Sequence, residues 1–229
     1  MLEDSLSYPM RGDWIGRILI GGVLTALSVV LLPAFFVMGY YVRVLERTIG
    51  GSEAPPEFEQ WGELFLDGVK ATIITFVYSV VPTVAYLFVV FGLIGAGGAV
   101  GGDGGGLLAG IGLLTMLLIV PLMFVIYYLV PAALANFASE GTIGAAFDFD
   151  ALKPVLLSSD YVLAILMPFV VGVALNVVGF ILGITVIGLL LVPFISFYAY
   201  IAIFRMFGLA FAKSSGGASA RSADRAVGA

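Results

Sequence analysis

The sequence predicts an all-α, polytopic membrane protein, a bundle of about five transmembrane helices with interfacial amphipathic helices between them. Three observations predict this class. Hydrophobic residues make up 61% of the 229 residues and charged residues only 11%, against roughly 25% charged residues in a soluble domain. The apolar residues form long runs, and about 20 such residues are what a helix needs to cross the hydrocarbon core of a bilayer. Apart from Lys70 at the start of the second run, these runs contain no acidic or basic side chain, which is typical of segments in lipid.

Five apolar runs define the predicted spans, at residues 18–42, 69–93, 107–135, 161–182 and 187–204. The first contains Pro33, so one long helix and a helix broken at Pro33 both remain open. About thirty residues cannot supply two crossings and a turn, and we expect a single span. The glycine-rich stretch 92–107 is expected to be a flexible outer linker. A single membrane domain is therefore predicted over 1–212, followed by a disordered tail over 213–229 that is small, polar and unpatterned.

The basic residues predict the orientation. With five spans, the side that carries the N-terminus has two basic residues, Arg11 and Arg17, and the other side has the remaining eight. Because cytoplasmic loops are enriched in Lys and Arg, we expect the C-terminus in the cytoplasm and the N-terminus outside. The predicted location is the cell membrane, as a multi-pass protein.

Repeated features predict an internal duplication. A proline followed by a tyrosine pair occurs at Pro33 with Tyr40-Tyr41 and again at Pro121 with Tyr127-Tyr128. The shared order of such features indicates repeat-like units at about 18–93 and 107–182, with a half-unit at 187–211.

The link after the first span carries an apolar stripe at helical spacing, formed by Phe58, Trp61, Leu64 and Phe65. Carboxylates fall between these residues, and Pro55-Pro56 precede them. This pattern predicts a short amphipathic helix at the membrane–water boundary, with Trp61 at the level of the lipid headgroups. Its expected role is a structural cuff, and the alternatives are a docking face for a partner and a cation-attracting vestibule.

Several classes of function are disfavoured by composition. The chain has no cysteine and no histidine, so disulfides, zinc sites and thiol or imidazole catalysis are not expected. The pI of about 4.6 makes nucleic acid an unexpected partner and fits a salt-loving organism. We predict no catalytic residue, no cofactor and no metal.

Uncharged polar side chains inside the spans are expected to hydrogen-bond between helices. The main candidates are Asn176, Tyr78 and Thr83, with Asn176 bonded to a neighbouring helix. An uncharged pore lining is the alternative role for such residues.

The run from Gly39 to Arg43, the segment from Pro56 to Lys70 with its Phe-x-x-Trp-Gly-x-Leu-x-x-Asp-Gly pattern, and Tyr78 with Pro82 together resemble one family. It is the domain-of-unknown-function family four-thousand-and-thirteen, uncharacterised prokaryotic multi-span proteins that are frequent in haloarchaea. The resemblance implies an archaeal cell-membrane protein and supplies no catalytic residue.

Three functions remain open. The first is a non-catalytic scaffold or accessory subunit, which packs in the bilayer with itself or with another membrane protein. The second is a channel or facilitator for a small neutral solute. The third, a lipid-modifying enzyme, lacks the clustered acid, base or metal site it would need, and we expect no enzyme.

Overall fold

The computed structural model describes residues 2–227, with side chains described as far as residue 215. Nine α-helices follow one another in this part of the chain, which contains no strand: α1 (Leu2–Ser7), α2 (Trp14–Ala26), α3 (Leu31–Ile49), α4 (Trp61–Val100), α5 (Gly102–Thr115), α6 (Ile119–Glu140), α7 (Phe149–Leu156), α8 (Ser159–Leu182) and α9 (Val186–Val227). Short 3₁₀ turns lie at Tyr8–Met10, Leu27–Val29, Met116–Leu118 and Ile143–Phe147.

Four helical segments are long and apolar enough to cross a membrane, at Trp61–Val100, Gly102–Glu140, Ser159–Leu182 and Val186–Ser215. A fifth exists only if Leu2–Met10 and Trp14–Val29, which meet at 91°, count as one broken span. The predicted fold class, an all-α polytopic membrane protein, is confirmed.

The chain divides into two units. Unit 1 comprises residues 1–72 and 131–229, and unit 2 comprises residues 73–130. In unit 1, α9 is the central element and packs against α1, α2, α3, α7 and α8. The proposed internal duplication is not tested by this arrangement and stays a prediction.

The run 18–42 is a broken helix, which is one of the two alternatives left open, but the expected position of the break, Pro33, is wrong. The helix ends near Val29, and Val30 has an extended backbone (φ −87°, ψ 130°) before α3 begins at Leu31. The break therefore precedes Pro33, which occupies the first turn of α3, where a missing N–H costs nothing.

The two halves of that run form an antiparallel helical hairpin. Arg17 Nε and the Tyr40 hydroxyl both donate to the carbonyl oxygen of Pro56, at 3.2 and 2.9 Å. In one straight helix these two residues would lie about 35 Å apart. The start of α2 and the middle of α3 are thus side by side.

The predicted interfacial helix beginning at Pro55 is also wrong. Residues 52–60 contain no helix, and Trp61 starts α4, which continues without a break to Val100. In a helix the carbonyl of Pro56 would accept from the amide of residue 60. Here it is occupied by Arg17 and Tyr40, and Gln60 takes a positive φ of 50°, which ends the irregular segment just before α4.

Unit 2 is a helical hairpin closed by glycine. Gly101 and Gly102 make the turn with φ of 66° and 59°, a conformation that glycine adopts readily. A Cβ on Gly105 would lie 2.4 Å from the carbonyl oxygen of Gly97, so α4 and α5 touch backbone to backbone. The stretch expected to be a flexible linker is helical on both sides of this turn.

The second link, between α6 and α8, is short and helical. Asp148 caps α7 by accepting from the amides of Asp150 and Ala151, both at 3.1 Å. The buried amide of Asn136 donates to the carbonyl of Ala145 at 2.7 Å and holds the preceding 3₁₀ turn on α6.

The first residues of the predicted disordered tail belong to α9. Lys213 pairs with Asp160 at 3.3 Å, and Ser214 donates to Ser158 at 2.7 Å. The backbone of α9 continues to Val227. The last two residues, and the side chains beyond residue 215, lie outside the described part of the chain, and disorder there stays a prediction.

Candidate functional site: a charged end of unit 1

The polar residues of unit 1 gather at one end, where α1, the end of α3, the 50–60 link and α9 meet. Arg205 lies at the centre and is only 6% exposed. Its guanidinium donates to the carbonyl oxygen of Ser52 at 2.7 Å and to a carboxylate oxygen of Asp4 at 3.4 Å, and lies 4.3 Å from the Tyr8 ring centroid. One side chain therefore ties α9 to α1 and to the link.

Asp4 is shared between two arginines. Arg11 approaches its other carboxylate oxygen at 2.5 Å and also donates to the carbonyl of Glu53 at 2.9 Å. The hydrogen bond from Arg11 lowers the pKa of Asp4 from its ordinary value, against a smaller opposing effect of partial burial. Burial raises the pKa of Tyr8, whose hydroxyl donates to the carbonyl of Ala54 at 3.0 Å. Asp4 is thus held as a carboxylate and Tyr8 as a neutral phenol.

A second buried guanidinium, that of Arg17, binds the turn after α1 and the link before α4. Arg17 is 4% exposed and donates to three backbone carbonyls, those of Arg11 (2.9 Å), Pro56 (3.2 Å) and Pro9 (3.3 Å). Buried backbone carbonyls that belong to no helix need such donors. Arg17 therefore joins the turn after α1 to the link before α4.

Arg43 holds the other end of that link. It donates to the carbonyl of Glu59 at 2.6 Å and of Gln60 at 3.3 Å, and lies 3.8 Å from the Glu63 carboxylate. A non-glycine residue at positive φ costs free energy, and these bonds stabilise Gln60 there.

The predicted stripe of four residues lies against this end, within unit 1. Phe58 stacks on Tyr40 at 4.4 Å between ring centroids, and on Trp61 at 5.7 Å. Leu64 is fully buried, Phe65 is half-buried and contacts Phe35 edge-on at 5.5 Å, and Trp61 remains 43% exposed. The stripe packs inward on α3 rather than standing as a separate cuff, and its role in partner binding stays a prediction.

An open groove of about 810 Å³ runs along this end of unit 1. Its charged lining consists of two arginines and six carboxylates: Arg43, Arg47, Glu46, Glu57, Glu59, Glu63, Asp67 and Glu140. The described residues contain no group of three or more His, Cys, Asp or Glu that could hold a metal ion. With six carboxylates against two arginines in its lining, the open groove is an acidic surface.

The predicted polar contacts within the spans have mixed outcomes. Asn176 was expected to bond to a neighbouring helix, but it is exposed and donates to the carbonyl of Gly172 in its own helix, at 2.8 Å. Thr83 likewise bonds within α4, to Ser79 at 2.6 Å. Tyr78 is buried, 8% exposed.

Sequence reasoning missed the two buried arginines and Asp4. A signal was present, because Arg205 follows the apolar run 187–204 and is itself followed by Met206-Phe207-Gly208-Leu209. An arginine flanked by apolar residues on both sides requires an internal partner. Nothing in the local pattern, however, indicates that the partner is a residue 201 positions away.

Comparison with known proteins returns one family. Its model, described as "Protein of unknown function (DUF4013)", matches residues 26–184. No curated protein and no solved structure matches the chain.

Proposed function

Because the chain belongs to the DUF4013 family, whose function is unknown, we propose its role from its own surface: it is a non-catalytic membrane scaffold or accessory subunit that packs in the bilayer with another subunit. The observation that carries this proposal is an amide on an exposed apolar helix face. Asn176 lies in α8, six positions before the helix ends at Leu182.

The surroundings of Asn176 are apolar and uncovered. Val173, Val177 and Phe180, which share its helix face by their spacing, are 66%, 55% and 80% exposed. In the most apolar stretch of α8 only 6% of residues are buried, against 33% in that of α9. Within unit 1, α8 therefore presents this face outward.

An amide on such a face favours association. Asn carries two N–H donors and an acceptor oxygen, and the bond to Gly172 uses one donor. A polar group in hydrocarbon is costly without partners, and Asn side chains join transmembrane helices for this reason. A second copy is the partner that fits best, because two amides related by a two-fold axis can each donate to the other.

Self-association in liposomes tests the proposal. Donor- and acceptor-labelled copies should show energy transfer that increases with protein-to-lipid ratio. Asn176→Leu should weaken the association about threefold to tenfold, in line with roughly 1 kcal/mol for a hydrogen bond between helices in membranes. Thr83→Val is the matched control, since it removes a different polar group, a hydroxyl, that also bonds within its own helix, and it should leave the association unchanged.

Flux measurements separate the scaffold from a facilitator. The same liposomes, loaded with ions and with small neutral solutes, should leak no faster than empty vesicles. Flux well above background that is lost in Asn176→Leu would overturn the scaffold, as would unchanged energy transfer in that variant.

A further inference from the structure

We propose that α2 and α3 form a re-entrant hairpin, which enters and leaves the membrane on the same side and embeds its apolar tip, residues 27–32, in the acyl chains. The N-terminal helix and the polar end of α9 then share one side of the membrane. This differs from the single first span that the hydropathy pattern predicts, and it does not depend on the proposed self-association.

The packing of unit 1 sets the two arms side by side. A Cβ on Gly21 of α2 would lie 2.0 Å from the ring of Phe197 on α9, and Tyr41 of α3 stacks on the same ring at 5.8 Å. Arg17 and Tyr40 meet again at Pro56. Both arms therefore run along the same stretch of α9, and the chain reverses between them.

The hairpin is too short to cross. From Arg17 to Val29 the arm has twelve residue steps, which is about 18 Å of helix. The hydrocarbon core is about 30 Å thick. By comparison α8, with 24 residues, reaches about 36 Å. The tip therefore ends inside the core.

The tip has the chemistry of a buried membrane segment. Val29 to Leu32 are all apolar, and Val29 is 96% exposed, whereas a tip in water would carry polar turn residues. In lipid, backbone polar groups must be satisfied internally. Here the amide of Val30 donates to Leu27 at 2.9 Å, and the hydroxyls of Thr25 and Ser28 donate to carbonyls one turn earlier in the chain.

The start of the hairpin carries interfacial markers. The α1 segment meets the α2 segment at 91°, as a helix lying on the membrane surface would meet one entering it. The exposed apolar residues of the α1 segment are Leu2, Leu6 and Met10, and the exposed Trp14 follows them in the sequence. The Tyr198 hydroxyl donates to the carbonyl of Leu6, and Arg205 pairs with Asp4. These contacts join α1 to the polar part of α9.

Charge agrees with this placement. If the hairpin is re-entrant, Arg11 and Arg17 join the other eight basic residues, and all ten Lys and Arg of the sequence lie on one side. Because basic residues accumulate on the cytoplasmic side, that side is the cytoplasm. The C-terminus keeps its predicted orientation, and the N-terminus is reversed.

Single-cysteine labelling tests the hairpin without background, because the chain has no native cysteine. Glu3→Cys reports α1, Glu53→Cys reports the link and Ile184→Cys reports the turn between α8 and α9. Intact cells are treated with a membrane-impermeant maleimide before and after permeabilisation. Glu3→Cys and Glu53→Cys should react only after permeabilisation, and Ile184→Cys before it.

The relation between Glu3→Cys and Glu53→Cys decides the outcome. Both positions are exposed, and a single span between them would put them on opposite sides, which would overturn the hairpin. A fluorophore on Val29→Cys gives a second reading in liposomes, where lipids brominated in mid-chain should quench it. Reaction of Val29→Cys with the impermeant reagent from the side of Ile184→Cys would mean that the hairpin crosses, and would also overturn it.

Discussion

In unit 1 the helices meet through arginine, tyrosine and phenylalanine side chains, whereas in unit 2 two helices meet through the backbones of glycines. Unit 1 contains all ten basic residues of the sequence, and unit 2 contains one charged residue, Asp103. Arg205 alone joins three segments of unit 1. In unit 2, Gly97 and Gly105 bring α4 and α5 into contact, and the Tyr86 hydroxyl adds a bond to Thr115 at 2.7 Å.

The difference follows from the surroundings in which each kind of contact is favourable. Directional bonds of charged groups suit the end of unit 1 where water and headgroups are within reach. Inside hydrocarbon there is no hydrophobic gain when helices meet, so close approach at small residues supplies the attraction. The contrast is not absolute, because α3 and α4 also meet at Gly39 and Gly68 within unit 1.

The largest expected effect is at that glycine contact. A Cβ on Gly68 would lie 1.7 Å from the carbonyl oxygen of Phe35, and backbone cannot move aside easily. Gly68→Ala should lower the free energy of unfolding by about 3 kcal/mol, as overpacking does. Unfolding by denaturant in detergent micelles measures it. Gly62→Ala, with open space at its Cβ, is the control, and equal stability of the two variants would refute the contact.

The next effect is at the charged end. Arg205→Met keeps the length of the side chain but removes the bonds to Asp4 and Ser52. It should cost about 2 kcal/mol, the range for hydrogen bonds to charged groups. The same unfolding measurement applies. Arg47→Met, at an exposed arginine, should change stability by less than about 0.5 kcal/mol. Similar losses in the two variants would show that general charge, not the buried contact, stabilises this end.

A smaller effect is expected in unit 2. Gly105→Ala should destabilise the α4–α5 contact by about 1–2 kcal/mol, while Gly106→Ala, which meets open space, should not. Both tryptophans, Trp14 and Trp61, lie in unit 1, so their fluorescence reports that unit alone. The unfolding midpoint of Gly105→Ala should fall more by circular dichroism than by fluorescence. Equal shifts would mean that the two units unfold together.

The smallest effect is the response to acid. Because the pKa of Asp4 is lowered from 3.8 in the folded protein, its carboxylate contributes stability above that value. This contribution is lost as the pH falls below 3.8 through the folded pKa. Asp4→Asn should therefore reduce the loss of thermal stability between about pH 6 and pH 3, and so should Arg11→Met, which removes the main hydrogen bond. An unchanged acid response in both variants would contradict the assignment.

Much of the membrane architecture could be predicted from the sequence. Four of the five predicted spans fall within the four long membrane-compatible segments, because length and apolarity alone meet the demand of the hydrocarbon core. In the predicted stripe, Leu64 is fully buried and Phe58 stacks on Tyr40, whereas Trp61 remains 43% exposed. The predicted helical start of the stripe was wrong, since Pro56 bonds to residues 16 and 39 positions away.

The sequence by itself determined that this is an all-α membrane protein, where four of its spans run and that its polar surface lies in a few links. Those properties depend on local composition, because a segment that crosses the hydrocarbon core is recognised from the apolar character of its own residues. Only the tertiary structure decided that the first apolar run turns back at Val30, and that Arg17 and Arg205 are buried. Hydropathy is the same for a helix that continues and for one that reverses. The reversal depends on a distant partner of both arms, Phe197, and the burial of Arg205 depends on another distant partner, Asp4.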